Sequence, residues 1–336
     1  MNRPEVSIKQ ARLAVGPLSV LLFAQTTFWL LYDVADRGLP HMWSAWTNGP
    51  VSGLSATTAL DFGLAALQLG AACGLVLRIR GAGGLLVTAC VTTVLFRTPV
   101  VWYMLLDSES DPWFGGLEGP SLTAVGVSCL LAILVAVALG GLLFRVRGLE
   151  RDAAAAAEEE SRSGAIRPVK VTASASCTLL AVLNVFYICR NVLTAVEVGP
   201  RALADLLVGR GVGRAVLGVS SPWQWACLTV LCGVGMVLAA KRRPSATGFS
   251  VGLALFMMPI AFTKLWGLAG TADLLASPLN TVQSVLELAG SAAVVALIVA
   301  DVRRDRPAPH AVLELTPPPT GADPEAQRAD AATSDA

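Results

Sequence analysis

Charge is what this sequence has least of. Only 15% of its 336 residues are Asp, Glu, Lys or Arg, against about a quarter in an ordinary soluble domain, which excludes a water-exposed surface of normal composition. Histidine is scarcer still. His41 and His310 are the only two and both lie outside apolar stretches, so haem held by paired intramembrane histidines and His-rich metal sites are excluded. The seven cysteines all sit inside apolar stretches and form no C-x-x-C pair, which leaves them as small core residues rather than zinc ligands or a redox couple. No metal and no cofactor is expected. The net charge of +1, with basic residues only in short clusters, offers no basic face to a nucleic acid. The Asp-rich repeats of membrane prenyltransferases are missing, and so is any Ser-His-Asp set inside the apolar stretches. GRGVG at 209–213 has neither the preceding strand nor the third glycine of a dinucleotide loop.

What is present is carbon. Hydrophobic residues make up 54% of the chain and the mean hydropathy is +0.63. Eight apolar stretches, at about 13–33, 58–77, 85–106, 121–144, 173–195, 223–240, 248–269 and 280–300, each reach the roughly 20 residues that cross a bilayer. Nothing alternates like barrel strands, and backbone polar groups in lipid have to be satisfied within the segment. The expected fold is therefore an all-α integral membrane protein of eight transmembrane helices, with the lipid bilayer as its first partner. The first stretch contains Trp29 and Tyr32 and lacks an A-x-A exit, so it reads as a retained helix and not a cleaved signal peptide.

Basic residues cluster at every second connection: Lys9 and Arg12, Arg78 and Arg80, Arg145 to Arg151, Lys241 to Arg243, Arg303 to Arg306. The positive-inside rule then puts both termini in the cytoplasm. The opposite connections agree, since 107–119 is acidic and Trp43, Trp46, Trp113, Trp223 and Trp225 gather where an outer aromatic belt belongs. Only 197–222, with Arg201, Arg210 and Arg214, runs against the alternation. Arg outnumbers Lys 21 to 4, a bias of GC-rich bacterial genomes, so the expected location is a bacterial cell membrane.

The two halves read alike. Each has a long helix, a long outer loop, a helix, a tight basic turn (RIRGAGG at 78–84, KRRPSATG at 241–248), a Pro-containing helix and a last helix introduced by proline. Asp33 answers to Glu197, Arg80 to Arg243, Pro99 to Pro259 and Pro120 to Pro278, as in parallel duplicated transporter halves. The organisation expected is a first four-helix repeat at 1–146, a cytoplasmic linker at 147–170, a second repeat at 171–304 and a disordered tail at 305–336. In topology each half is similar to DoxX-type and MauE-type four-helix modules. That likeness is one of architecture and implies no site residue.

An ionisable group inside a span costs about 2.5–3.5 kcal/mol on insertion scales, so each one needs a partner, a wet cavity or a function. Arg190 and Lys264 lie about 8 Å below the outer boundary, Glu287 about 10 Å, Arg97 about 14 Å and Asp61 about 5 Å, at ~1.5 Å per residue. Asp33, Asp107 and Glu197 mark outer helix ends. The set describes a polar cavity open outward and closed toward the cytoplasm. Asn280, Gln283, Ser284, Glu287 and Ser291 fall on one face of the eighth span, and Asn184, Tyr187, Asn191 and Thr194 on one face of the fifth. Ser19, Thr26, Trp29 and Asp33 do the same on the first. Pro99 and Pro259 are expected to break their helices beside the site.

In these terms Glu287, Asp61 and Asp33 are the candidate catalytic acids or bases. Arg97, Arg190 and Lys264 are candidate holders of a phosphate or carboxylate, and Trp29, Trp102 and Trp266 candidate walls for an apolar chain or a developing cation. The competing structural account pairs Arg190 with Glu197 or Lys264 with Glu287 to hold the halves together. The functional expectation is a membrane-embedded lyase, isomerase or transferase working by acid/base chemistry on an anionic lipid or prenyl-type ligand. A small-solute transporter and a membrane receptor or assembly partner are the alternatives.

Overall fold

The computed structural model describes residues 3–48, 55–77, 79, 81–106, 122–158, 170–209, 215–241, 243, 245–271, 275 and 277–304. The acidic stretch 107–119 with Asp107 and Trp113, together with Pro120, Arg78, Arg80, Arg210, Arg214, Arg242, residues 159–169 of the join between the halves and the tail from 305, lie outside the described residues. The chain divides into two units, Met1–Ile298 and Val299–Ala336. The bundle described below belongs to the first, and the second is described only at 299–304, where a helix ends.

Among the described residues every regular element is a helix: α1 (Arg3–Arg37), α2 (Leu39–Asn48), α3 (Ala59–Val76), α4 (Ala82–Leu106), α5 (Leu122–Glu158), α6 (Lys170–Val198), α7 (Pro200–Val208), α8 (Ser221–Ala240), α9 (Ser245–Gly270) and α10 (Pro278–Arg304). All but α2 and α7 are long and apolar enough to cross a membrane, eight among the described residues, and each coincides with one of the expected spans to within a few residues at either end of the apolar stretch. The two long connections expected as outer loops, after the first and fifth spans, are corrected in one respect, because each holds a short helix. In α2, Leu39, Met42, Trp43 and Trp46 repeat at helical spacing; in α7, Pro200 stands at the first turn and Leu203, Leu206 and Leu207 form the apolar face.

Burial sorts the spans into centre and rim. In α4 and α9, 67% of the apolar window is buried, against 28% in α1 and α5 and 17% in α6. The core runs between α3, α4, α8 and α9 through Leu64, Phe96, Leu228, Phe249, Phe256 and Ile260. Outward, Leu21, Phe28 and Leu31 of α1, Leu130 and Leu134 of α5, and Val185, Ile188 and Val192 of α6 stay exposed. Apolar faces this extensive need a hydrocarbon solvent, which makes the chain a multi-pass membrane protein.

Small residues let α9 approach its neighbours at backbone distance. A Cβ on Gly63 would lie 2.4 Å from the Phe256 carbonyl oxygen, one on Gly84 2.3 Å from that of Ser245, and one on Gly248 1.9 Å from that of Gly81. Gly81 itself has φ +95, the left-handed region in which a side chain is strained. Where lipid offers no hydrophobic force between helices, such close packing holds them together.

Pro99 and Pro259 do not break their helices, contrary to expectation. Both lie inside continuous helix. At Pro99 the reason is visible one turn back, where the Leu95 carbonyl accepts the Trp223 indole N–H at 3.1 Å, with the Cys227 thiol at 4.0 Å. A neighbouring helix thus satisfies the acceptor that proline frees.

Candidate functional site

The site lies at the end of the bundle that carries α2 and α7, and a carboxylate builds its floor. Asp33, 2% exposed at the end of α1, accepts the backbone N–H of Ala56 at 2.9 Å and of Thr57 at 2.7 Å, with the hydroxyls of Ser55 at 3.1 Å and Thr57 at 2.5 Å. These bonds hold 55–57 extended. The segment then accepts N–H donors of the other half, from Val216 to the Ser55 carbonyl at 3.1 Å and from Leu217 to the Ala56 carbonyl at 2.9 Å. Immediately beyond, Thr58 caps α3 in a capping box with Asp61, and Ser220 caps α8 by accepting the Trp223 N–H. Two helix N-termini are thereby set side by side, and α10 begins at the same end.

A cavity of about 750 Å³ opens beside these termini, within the range of small-molecule sites. Thr58, Ala59 and Leu60 of the α3 start, Ser221, Gln224 and Trp225 of the α8 start, and Ser277, Asn280, Gln283 and Ser284 at the start of α10 line it. Four basic residues join them: Arg37 of α1, His41 of α2, Arg190 of α6 and Lys264 of α9. No Asp or Glu is among the described lining residues. Helix N-termini carry partial positive charge, so dipoles and side chains have the same sign here.

Arg190 stands with its guanidinium 4.5 Å from the centre of the Trp225 ring and donates from Nη2 to Asn280 Oδ1 at 2.8 Å. Among the described residues its Nε has no hydrogen-bond partner, and neither do Trp46 Nε1, Gln224 Nε2 and Ser284 Oγ. All four atoms are buried and all four belong to lining residues. Buried polar atoms are paired in the great majority of cases, so four orphans around one cavity point to a polar occupant. Lys264 has no ion-pair partner among the described residues. Leu60, Val219, Ile260 and Leu268 supply an apolar wall.

The other residues singled out in the sequence lie elsewhere. Arg97 and Asp61 pair with each other at 2.5 Å, 3% and 2% exposed, and Asp61 also accepts from Thr58 N at 2.7 Å. Glu287, 1% exposed, accepts the Tyr187 hydroxyl and the Gln283 amide N–H, each at 2.8 Å. The Trp29 indole donates to Ser128 Oγ at 2.9 Å. Trp102 donates to the Val208 carbonyl at 2.9 Å and meets Trp223 edge to face. Trp266, 57% exposed, sits in an aromatic group with Trp43 and Phe262. None of these lines the cavity.

Of the binding candidates, then, Arg190 and Lys264 come together and Arg97 does not. Arg37, His41 and Gln224 are lining residues to which the sequence assigned no site role, and Trp46 and Trp225 are lining residues that it placed in an interfacial belt.

Fold and site together define a multi-pass helical membrane protein with a cationic cavity entered from one end. No protein-family model matches the chain, and no curated protein or solved structure matches it.

Proposed function

We propose that the protein binds an anionic organic ligand, a phosphate or carboxylate head on an apolar body, in the cavity between its two halves. The observation that carries this is the charge of the lining: basic side chains, helix N-termini and unpartnered donors, with no carboxylate among the described lining residues. Arg190 and Lys264 hold the head, and Leu60, Ile260 and Leu268 take the body. The ligand comes either from the bilayer, as a lipid or prenyl compound, or from water.

Binding suits the geometry better than the acid/base enzyme read from the sequence. The carboxyl groups read as its acids and bases stand away from the cavity. Asp33 and Asp61 hold helix ends, and Glu287 lies behind Gln283. Transport needs the far end to part, and there the backbones of Gly81 and Gly248 meet without side chains between them. The recurring element order, α1 to α5 and α6 to α10, supports a duplicated four-helix unit. The basic clusters support an outward-facing cavity in a bacterial cell membrane with both termini cytoplasmic.

The test uses the full chain in neutral phosphatidylcholine nanodiscs, titrated calorimetrically with dodecyl phosphate and with phenyl phosphate. Arg190→Gln and Lys264→Gln each remove a charged donor whose bond is worth about 1.5–3 kcal/mol. Each should weaken binding about tenfold or more, with the folded fraction unchanged. Preference for dodecyl phosphate marks a bilayer ligand, and equal affinity a water-borne one. Absence of binding, or variants that bind like the parent, would overturn the proposal.

A further inference from the structure

Of the three buried carboxylates among the described residues, Glu287 has the fewest donors and no ion pair. Asp61 has Arg97, and Asp33 has four donors from one extended segment. Glu287 sits ten residues into a membrane-crossing helix, about 15 Å along it, and forms no ion pair among the described residues. Its neighbours are neutral: Tyr187 of α6 and Gln283 of α10, both donating to Oε1, and the Cys232 thiol of α8, close enough to interact electrostatically. An ionised carboxylate in such surroundings is expensive, and intramembrane carboxyl groups of this kind are where proton-handling proteins carry their protons.

One side chain touches both this group and the cavity. Gln283 lines the cavity and donates to Glu287, and the unpartnered Ser284 hydroxyl is next to it in the same wall. We propose that Glu287, with Tyr187 and Gln283, is a proton-binding site coupled to the anion cavity, so that a proton is taken up as the anion binds. The inference rests on the cavity reading given above. Without an anion, the positive charges of Arg190 and Lys264 favour the ionised carboxylate across a medium of low dielectric. An anion cancels that field and adds a negative charge of its own, and a proton on Glu287 then removes the repulsion. The proton adds to a carboxylate oxygen and comes from solvent; no other bond changes.

By linkage, a proton taken up with the anion makes affinity rise as pH falls, by at most tenfold per pH unit. The probe is dodecanesulfonate, a strong-acid anion whose own charge does not change with pH in water. Full-length protein in phosphatidylcholine nanodiscs, in weak buffer with a pH indicator, should take up a proton when the sulfonate binds. Glu287→Gln should bind with an affinity that does not change with pH and take up no proton. Tyr187→Phe, which keeps the carboxyl, should still take one up over a displaced pH range, so the test survives if Glu287→Gln does not fold.

Uptake kept in Glu287→Gln would overturn the coupling. So would wild-type protein that binds the sulfonate without proton uptake, while leaving the anion cavity standing. No sulfonate binding at all would overturn both.

Discussion

Two aspartates on neighbouring helices show how context divides the work of one residue type. Asp33 is spent on four donors of the segment 55–57. Asp61 closes a capping box and neutralises Arg97. Removing one member of a buried pair leaves the other charge uncompensated, at a cost of about 3–5 kcal/mol. Arg97→Gln and Asp61→Asn should therefore each lower the yield and thermal midpoint of detergent-purified protein. The double variant should recover part of the loss. If it is as damaged as the sum of the single variants, the two side chains do not act as a pair. Sequence alone put Arg97 and Arg190 in one class because both are cations in the outer half of a span. What separates them is the partner on another helix, Asp61 for one and Trp225 with Asn280 for the other, and no spacing within a single helix carries that information.

Among the elements, α9 shares the deepest burial with α4, and the two meet through glycine. Gly248 and Gly84 meet carbonyl oxygens at distances no Cβ tolerates, whereas Gly140 has nothing within 4 Å. Overpacking costs typically 1–3 kcal/mol, and backbone atoms give way less readily than side chains. Gly248→Ala and Gly84→Ala should each reduce the folded fraction in fluorescence-detected size exclusion, and Gly140→Ala should not. Equal behaviour of the three would mean that the close approach is not what holds α4 to α9. The eight spans were legible because a bilayer demands about 20 apolar residues of each, whatever the neighbours do. The short helices α2 and α7 were not, although Leu39, Met42, Trp43 and Trp46 carry the period. Their spans of nine and ten residues are hidden inside connections that hydropathy treats as gaps. The prolines misled for a similar reason: whether Pro99 interrupts α4 depends on Trp223 of another helix donating to Leu95.

For the molecule as a whole, orientation is the property that the basic clusters foretell. Reporter fusions after residues 115 and 273 should read extracytoplasmic, and after 155 and 320 cytoplasmic; a cytoplasmic signal at 115 would invert the assignment of the cavity to the outer face. The polar end and the sealed end differ in kind. At one, extended segments, caps and cations surround open space. At the other, Gly81 and Gly248 bring two backbones into contact. Gly267, near the other end of α9, makes a like approach to the Thr47 carbonyl of α2. Glycine therefore fixes α9 at both of its ends, and the seat of α2, whose His41 and Trp46 line the cavity, is set by where α9 finishes.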